Sequence, residues 1–465
     1  MRLLTNLPLE CFDEAVNGPD VQVLSYGPPE RMLVDGVHFA FDIAFDPSTG
    51  SWAELAAKLP RDFVPDALLI WWPDQEPLPS GLEHCPVPVV GVFSDYNLSL
   101  PYLAGLWPFF DVVLCDRNGE DLFRRLSFAD VRYWCQYAQK RPFHRLWPDS
   151  GPRDLDIGFA GNLNPAVQRE RAPWIERVRR LGDRGVRTAV RSGVAGEAYG
   201  RLLNRCRLGF NRSIRGEMNL RGFEVPACGA VLLMERENRE VRDFFVPGEE
   251  CVLYGDDDFE AVVMELLADD ARRERIAAAG HRRVQQHRLQ RRLPQLAALL
   301  QQRGPGRPTS TAADRALGRA SAMLPTWADG KVIVAAALAA HELARDDVRT
   351  LNLLGLATLR WRGGDGGEAA WKLWHRAATA DRHYVPAAVN LAAIAAASGD
   401  QRLQQATAAE LARRAGTAAT WRALDGPTLP LGYAATAIDR SLALQAAVRQ
   451  GEAPVFAREL ARHPG

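Results

Sequence analysis

Residues 199–254 read YGRLLNRCRLGFNRSIRGEMNLRGFEVPACGAVLLMERENREVRDFFVPGEECVLY, and this stretch decides the fold. An apolar strand is predicted over 207–211, a polar loop follows over 212–219, a helix begins near Arg221, and a second apolar strand covers 230–234. Two buried strands joined through a helix form a βαβ unit with parallel strands. The polar loop therefore lies at the carboxyl end of a strand, where open α/β sheets bind ligands and where a helix start favours phosphate.

The same alternation of apolar runs with helix-length segments extends in both directions. Further candidate strands of this block are Leu155–Ala160, Val186–Val190 and Cys251–Tyr254. An earlier block has candidate strands at Val21–Tyr26, Val37–Phe45, Ala67–Trp72, Val87–Phe93 and Asp111–Cys115. Continuous runs rich in β-branched residues are typical of buried parallel strands. The sequence therefore predicts an α/β fold with two doubly wound, Rossmann-like domains, one over 1–150 and one over 151–302.

The chain changes character at 301–311, where QQRGPGRPTST contains no large apolar side chain and is typical of a linker. Beyond it the composition is rich in Ala, Leu and Arg without a strand-like run, which predicts an all-α domain over 312–465. Leu-Leu-Gly-Leu-Ala at 353–357 is echoed by Asn-Leu-Ala-Ala-Ile at 390–394, and this pattern resembles tetratricopeptide repeats. The glycine-rich loop at 363–367 makes the unit longer than the usual roughly 34 residues, so a plain helical bundle is the alternative.

The charge balance argues against whole classes of partner. The chain has 465 residues, with 57 Lys and Arg against 57 Asp and Glu, so no excess of cations is available to neutralise nucleic-acid phosphates. Seven widely spaced cysteines without a C-x-x-C pair argue against a zinc site or a disulfide framework and favour buried reduced thiols. No apolar run approaches the roughly 20 residues of a membrane span, and the start lacks the apolar core of a signal peptide. We expect a cytoplasmic protein without a nucleic-acid partner or a metal site.

The segment R-G-F-E-V-P-A-C-G-A at 221–230 resembles the R-x-F-E-x-x-A-x-G segment of GT-B fold glycosyltransferases. The similar branch is the family-4-like group that includes spore-coat-associated glycosyltransferases. The similarity continues through F-F-V-P-G-E-E at 244–250 and through the helix that ends with A-G-H-R-R-V at 279–284. Upstream, D-I-G-F-A-G-N at 156–162 resembles the opening strand and glycine loop of the family. The resemblance covers residues 154–290.

The resemblance implies that a nucleoside-diphosphate sugar binds at this edge of the second α/β domain, as the donor substrate and with no further cofactor. Glu224 would hydrogen-bond the ribose hydroxyls, because a carboxylate accepts from two vicinal hydroxyls at once. Arg171, with Arg169 as the alternate, would neutralise the diphosphate and stabilise the leaving nucleoside diphosphate. For both arginines a solvated helix face is the other interpretation.

Other positions of the motif would lie close to the same groups. Gly161 would let the backbone approach the ligand, and Asn219 and Arg221 would lie beside the phosphates at the start of the helix. The full set of predicted donor-binding residues is Gly161, Asn162, Arg169, Arg171, Glu217, Asn219, Arg221, Phe223 and Glu224.

The sequence departs from the family pattern at one position, and it does not identify the catalytic base that would deprotonate the acceptor. The family often carries a second glutamate eight residues before the ribose-binding one, and here Gly216 holds that position, with Glu217 one place off. No side chain is convincing as an acceptor-side catalytic base. Asp95 is the best placed, because it follows the predicted strand 87–93; a turn or a helix cap is the alternative interpretation of Asp95.

The resemblance therefore implies a glycosyltransferase of the hexosyltransferase-like, metal-independent GT-B type, which moves a sugar from a nucleoside diphosphate to an acceptor. The helical domain would recruit a protein acceptor or partner, because stacked helix pairs make concave peptide-binding surfaces. Gly216 and the missing base leave a second interpretation open, a catalytically inactive scaffold protein. A nucleotide-sugar epimerase of similar two-domain build is the third.

Overall fold

The computed structural model describes residues 1–13, 16–30, 32–34, 36–126, 128–165, 168–302, 304–414, 426–429 and 431. These residues form two compact units. The first unit comprises 1–44, 116–118 and 133–302, and the second comprises 45–115, 119–132 and the described residues after 302. The domain boundaries at residues 150 and 302 stay a prediction.

The strands form a seven-stranded sheet, a five-stranded sheet and a two-stranded hairpin. Their bounds are β1 (Arg2–Thr5), β2 (Gln22–Gly27), β3 (Met32–Val34), β4 (Val37–Phe39), β5 (Ile43–Ala44), β6 (Ala67–Trp71), β7 (Val89–Val92), β8 (Val112–Cys115), β9 (Val131–Tyr133), β10 (Leu155–Ala160), β11 (Thr188–Arg191), β12 (Cys206–Phe210), β13 (Val231–Glu235) and β14 (Val252–Tyr254). The seven-stranded sheet contains the strands up to β9 other than the β3–β4 hairpin, and the five-stranded sheet contains the rest.

Helices follow most of the strands and make up the region after residue 311. The α-helices are α1 (Trp52–Ala57), α2 (Tyr96–Leu103), α3 (Arg117–Arg125), α4 (Ala172–Arg180), α5 (Gly196–Arg205), α6 (Leu220–Ala227), α7 (Val241–Phe244), α8 (Phe259–Ala268), α9 (Asp270–Val284), α10 (Leu289–Gln301), α11 (Ala312–Met323), α12 (Gly330–Leu343), α13 (Val348–Arg362), α14 (Gly367–Ala380), α15 (Val385–Ser398) and α16 (Gln401–Arg414). Short 3-10 helices cover Leu9–Cys11, Leu82–His84, Ala104–Leu106, Leu181–Arg184, Gln285–His287 and Gly363–Gly366. The predicted class, two parallel α/β sheets followed by a helical region, is confirmed.

The five-stranded sheet of the first unit has the strand order β11-β10-β12-β13-β14, and its pairs are parallel. All five strands predicted for this block are present, with ends that differ by at most two residues from the prediction. Apolar clusters cover both faces of the sheet, which is why its strands are continuous apolar runs. Gly209 in β12 lets α6 lie close, because a Cβ atom there would come within 2.5 Å of the Val225 side chain.

The earlier block departs from the prediction in two places. The single strand predicted over Val37–Phe45 is wrong: 37–39 pairs antiparallel with β3 through a turn at Gly36, and 43–44 pairs parallel with β2. Between these short strands, the Asp42 carboxylate accepts hydrogen bonds from the backbone N–H and the hydroxyl of Ser25, both at 2.7 Å, which interrupts the strand. The sequence does not predict strands β1, β3 and β9, because runs of three or four residues give too little alternation to detect.

In the second unit, strands β6, β7, β8 and β9 follow one another across the sheet, and β6–β7 and β7–β8 are parallel pairs. The predicted linker is tied to this unit: the Arg307 guanidinium donates to the Leu82 carbonyl at 2.7 Å and to the Asp111 carboxylate at 2.8 Å. Thr311 and Asp314 then form a capping box that starts α11. The linker thus has a defined path although it contains no large apolar side chain.

The helical region packs around one apolar cluster that includes residues from α11, α12, α13, α14 and α15. Gly355 in α13 faces the fully buried Trp374 in α14 so closely that a Cβ atom would overlap the indole ring. A small residue of α13 therefore lies directly against an aromatic side chain of α14. The tetratricopeptide assignment stays a prediction.

Two further features concern the chain as a whole. All seven cysteines are buried and none forms a disulfide, as the spacing predicts. Across the described ranges, the structure has no helix that is both long and apolar enough to cross a membrane.

Candidate functional site

The candidate site lies in the first unit, at the carboxyl edge of the five-stranded sheet. Strand β10 ends at Ala160 and strand β12 ends at Phe210, and these two strands are neighbours. The loops that follow them begin at Gly161 and Asn211 and therefore leave the sheet at the same edge. Most of the residues predicted to bind the donor are in these loops or in the first turns of α6.

Arg221 joins the two loops through its guanidinium group. It donates to the Ala160 carbonyl at 2.6 Å and to the Asn211 amide oxygen at 3.1 Å, and its Cζ lies 4.3 Å from the centroid of the Phe159 ring. A Cβ atom at residue 161 would lie 2.5 Å from the Arg221 guanidinium. Gly161 thus leaves room for the Arg221 guanidinium in its present position, a reason that the sequence did not suggest.

Arg171 brings a second guanidinium to the same aromatic ring. The residue is 6% exposed, its Nε and Nη2 donate to the Arg212 carbonyl at 3.1 and 3.0 Å, and its Cζ lies 5.6 Å from the Phe159 centroid. Burial, and next the positive charge of Arg221, lower the pKa of Arg171 to about 10. Two cations held close together in a poorly solvated place attract an anion.

Arg169 and Asn162 differ from Arg171 in their exposure. Both are exposed, and the Asn162 amide oxygen accepts from the Asn164 backbone N–H at 2.9 Å, which closes a turn. The solvated interpretation therefore fits Arg169, whereas the burial of Arg171 contradicts it.

Asn219 sets the start of α6. Its side-chain oxygen accepts from the Gly222 backbone N–H at 3.3 Å, and its amide exchanges two hydrogen bonds with the Asn211 amide, at 3.0 and 3.2 Å. This N-cap fixes the direction of the first helical turn. Since Asn211 also accepts from Arg221, the two asparagines and the arginine form one network.

Glu224 is 5% exposed and lies in the second turn of α6, next to a residue that the sequence did not indicate. Nδ1 of the buried His144 is 3.7 Å from Oε1 of Glu224, and the His144 ring packs edge-on against Tyr199 with 5.3 Å between centroids. Burial, followed by the negative charge of Glu224, raises the pKa of Tyr199. No motif surrounds His144 in the sequence, so only the fold identifies it as a neighbour of Glu224.

Glu217 is engaged in an ion network at the end of its loop. Its carboxylate accepts from the Arg215 backbone N–H at 2.7 Å and lies 3.8 Å from the Arg215 guanidinium, which also donates to Asp116 at 2.9 Å. Burial raises the pKa of Glu217. Gly216 has φ +75°, in the left-handed region, so the position where the family carries a glutamate has a backbone conformation that favours glycine.

Glu240 holds the loop 211–219 through backbone hydrogen bonds, a role that the sequence did not reveal. Its carboxylate accepts from the backbone N–H groups of Met218 and Arg117, at 2.8 and 2.9 Å. Burial raises the pKa of Glu240 to about 7. Phe223 is fully buried and packs against Phe244 with 5.2 Å between centroids, which anchors α6 in the core. Its role in donor binding stays a prediction.

Asp95 belongs to the second unit, where it follows strand β7 and holds the N-cap position of α2. Its side chain makes no capping hydrogen bond, and its φ is +37°. Trp72, which follows the neighbouring strand β6, has φ +49°, and these two are the non-glycine residues with positive φ in the part of the chain that the structure describes. Such backbone strain concentrates at functional sites. The role of Asp95 as a base stays a prediction.

The chain has structural relatives, and part of it matches a known family. No curated protein matches the chain. Among solved structures, sucrose-phosphate synthase from Thermosynechococcus elongatus is 13% identical with a TM-score of 0.41, and the alignment covers 64% of this chain and 98% of that one. HepE from Anabaena in complex with UDP and glucose is 12% identical with a TM-score of 0.40, over 64% of this chain and 99% of that one. Both scores are below 0.5, so the fold assignment rests on the two sheets.

A family model described as "Glycosyl transferase-like" matches residues 147–298. The match begins before β10 and ends within α10, so it includes the complete five-stranded sheet and both loops at its carboxyl edge. Arg171, Arg221 and Glu224 all fall inside it. This region of the chain is glycosyl transferase-like.

Proposed function

We propose that the protein is a glycosyltransferase that moves a sugar from a nucleoside-diphosphate sugar to an acceptor. The observation that carries the proposal is the pair of guanidinium groups, Arg171 and Arg221, held over Phe159 at the carboxyl edge of the sheet. Because burial and mutual repulsion make this pair unfavourable alone, a bound diphosphate would stabilise it. The match of residues 147–298 to a glycosyl transferase-like family supports the same reaction class.

In the proposed mechanism the protein contributes mainly electrostatic stabilisation. The two guanidinium groups hold the diphosphate and offset the negative charge that builds on the leaving nucleoside diphosphate as the bond to the sugar breaks. Glu224 accepts hydrogen bonds from the ribose hydroxyls, and its burial removes competing water. The positive charge that the reaction needs would come from arginine, which makes this a metal-independent hexosyl transfer with the donor as substrate.

The acceptor side is proposed from the second unit. Asp95 would take the proton of the acceptor hydroxyl, and the helical region would recruit a protein acceptor or partner. We place the reaction in the cytoplasm, in keeping with seven buried cysteines that form no disulfide.

A catalytically inactive scaffold is the second candidate, and the backbone at residue 216 favours it. The left-handed conformation of Gly216 disfavours the glutamate that active relatives often carry there. A scaffold would retain the helical region and lose sugar transfer.

Thermal unfolding with UDP-, GDP- and dTDP-sugars tests the proposal. We expect one donor to raise the unfolding temperature, by the equivalent of about 2.7 kcal/mol at a hundredfold excess over Kd. The substitution Glu224→Gln should abolish this shift. The matched control Glu260→Gln, in the same unit but paired with Arg177, should retain it.

The outcomes separate the two candidates. Stabilisation together with release or transfer of the sugar supports the enzyme. Stabilisation without either contradicts catalysis but leaves the donor site intact, as a scaffold would. If no donor changes the unfolding temperature, the donor site itself is wrong.

A further inference from the structure

A groove on the surface of the first unit lies between helix α9 and the turn 246–250. Its volume is about 500 Å³, which is in the size range of sites for small ligands. Its lining includes Glu249 of the turn and three arginines of α9, Arg272, Arg275 and Arg282. The lining thus carries three positive charges and one negative charge. No residue of this lining belongs to the candidate donor site.

The turn is fixed against α9. A Cβ atom at Gly280 would lie 2.5 Å from the Glu250 carbonyl oxygen, so this glycine lets the helix pack directly on the turn. The Glu250 carboxylate accepts from the Val246 backbone N–H at 2.9 Å and lies 3.4 Å from Nε of Arg283. Ile276, which is 3% exposed, contributes an apolar surface to the groove. The helix and the turn therefore hold the two sides of the groove together through specific contacts.

Two arginines of the groove differ from other exposed arginines of the first unit. Arg187 and Arg205 are exposed, and each forms an ion pair with an aspartate, at 2.8 and 2.6 Å. Arg275 and Arg282 are exposed as well, but neither has an ion pair among the residues that the structure describes. Because like charges repel each other, two such groups that line one groove favour a bound anion.

The spacing of the arginines along α9 indicates the size of that anion. Arg272 and Arg275 are three positions apart, so their side chains leave neighbouring points of one helix face. Arg272 is only loosely paired, with Nη1 3.9 Å from the Glu265 carboxylate. Arg282 follows Arg275 after seven positions, which is about 10 Å along the helix axis. A ligand that contacts all three arginines must therefore be elongated, with a negative charge at each end.

We propose that this groove binds a small molecule in which two phosphate groups are joined by a chain that carries hydroxyl groups. Arg272 and Arg275 bind one phosphate and Arg282 binds the other, because a planar guanidinium group matches pairs of phosphate oxygens. Glu249 accepts a hydrogen bond from a hydroxyl group between the phosphates, since an ionised carboxylate can only accept. A ligand with its charge in the middle would instead be repelled by Glu249.

The groove is separate from the donor site, although α6 lies beside both. Nδ1 of His281 in α9 is 3.1 Å from the Pro226 carbonyl oxygen, in the last turn of α6, whereas Arg221 of the donor site is in the first turn. Binding in the groove therefore goes beyond the proposed function and does not depend on it. The test contains no sugar donor, so its failure would leave the proposed function as it stands.

Calorimetric titration of the full chain with fructose 1,6-bisphosphate tests the proposal. At a salt concentration of about 0.15 M, charges more than roughly 8 Å away are screened, so distant parts of the surface contribute little. We expect saturable binding of one molecule of the probe, and at least tenfold weaker binding of inorganic phosphate, which has a single anionic group. The double variant Arg275→Gln, Arg282→Gln should bind the bisphosphate at least tenfold more weakly, because two charged hydrogen-bond donors are lost.

Three control variants locate the binding. Arg201→Gln, Arg205→Gln changes the charge of the same unit by the same amount and should keep the affinity within about twofold. Ala279→Leu, between Arg275 and Arg282 on the helix, fills the groove without a change of charge and should weaken binding about tenfold.

Ala271→Leu, at an exposed position of the same helix outside the lining, is the control for Ala279→Leu and should have no effect. Arg221→Lys, which alters the donor site, should also leave the affinity for the bisphosphate within about twofold.

Four outcomes would overturn the proposal. The first is no binding of the bisphosphate at about 1 mM, the weak end of specific affinities. The second is unchanged affinity in Ala279→Leu, which would indicate a general attraction to surface charge. The third is an equal loss in Arg221→Lys and in the double variant, which would place the probe in the donor site. The fourth is sedimentation of the chain with vesicles that contain phosphatidylserine, together with no binding of the bisphosphate, which would assign the arginines to a lipid surface.

Discussion

The carboxyl edges of the two large sheets differ in their charged side chains. In the first unit, the loops after β10 and β12 bring Arg171 and Arg221 onto one aromatic ring. In the second unit, the segments after β6 and β7 carry acids: Asp74 is fully buried, Asp95 follows at the start of α2, and Glu76 accepts from the Trp327 indole N–H at 2.8 Å. The same place in the same kind of sheet thus holds two neighbouring guanidinium groups in one unit and three carboxyl groups in the other.

The difference shows that the fold of a sheet does not determine which charged groups lie at its edge. Parallel strands place the following loops at one edge whatever their sequence, whereas the loop residues decide what binds there. The predictions below test each edge separately.

Removing the proposed base should have the largest effect. We expect Asp95→Asn to lower kcat of sugar transfer by about 10²- to 10⁴-fold, since asparagine cannot accept the acceptor proton. Asparagine also tolerates positive φ, so the backbone should be kept. Steady-state transfer rates and a donor titration measure the two effects, and donor affinity should not change.

Asp62→Asn, at an exposed position in the same unit, is the control for this substitution. An unchanged rate of sugar transfer by the Asp95→Asn protein would show that Asp95 does not accept the proton of the acceptor.

The next effect concerns the cationic edge. Arg221→Lys keeps the charge but loses the planar fork that reaches both Ala160 and Asn211. We expect donor affinity to fall about 10- to 100-fold in calorimetric titration. Arg177→Lys, an arginine of the same unit that pairs with Glu260, should leave donor affinity within about twofold. Equal losses in both variants would indicate a general effect of arginine replacement.

Within the first unit, the sequence predicted the five-stranded sheet better than the short strands that precede it, and the reason is physical. The strands of the five-stranded sheet are mostly apolar runs that pack against apolar clusters on both faces, and the loop residues around Arg221 and Glu224 resemble a known motif. Pairings between strands of two to four residues, such as β3 with β4, depend on turns that one sequence does not reveal.

Contacts across long stretches of sequence could not be predicted at all. No local sequence pattern connects the partners of three such contacts: His144 with Glu224, Glu240 with the Met218 N–H, and Asn352 with Asn390. Their roles follow from packing, which brings together side chains 20 to 80 positions apart. Sequence periodicity reports only the buried face of one element at a time.

The two units can also be compared through one buried acid in each. Burial raises the pKa values of Glu240 and Glu76 to about 7, from ordinary values near 4.5. An acid with a raised pKa in the folded state stabilises that state below about pH 4.5, and this contribution is lost as the pH rises through 7. For Glu240 we expect a loss on the order of 2 kcal/mol over this range.

Calorimetric unfolding between pH 4.5 and 8 checks this prediction. Glu240→Gln should remove the part of the decline that Glu240 causes, since glutamine does not titrate. Glu76→Gln should do the same for the second unit. Parallel pH profiles of Glu240→Gln and the wild type would contradict the raised pKa of Glu240.

The smallest effect concerns backbone strain. One residue with positive φ is a glycine, Gly216, in the first unit, and another is a non-glycine residue, Asp95, in the second. Gly216 has φ +75° with no atom closer than 3.8 Å to a Cβ position, so its replacement costs conformational energy but causes no clash. Gly216→Ala should destabilise the first unit by about 1 kcal/mol. In the second unit a non-glycine residue bears the strain, and Asp95→Gly should relieve it and raise the unfolding temperature while sugar transfer is lost. Gly182→Ala, where φ is not positive and a Cβ has open space, is the control and should be neutral or slightly stabilising.

If Asp95→Gly lowers the unfolding temperature instead, the positive φ of Asp95 does not store strain. The backbone argument for a functional Asp95 then fails.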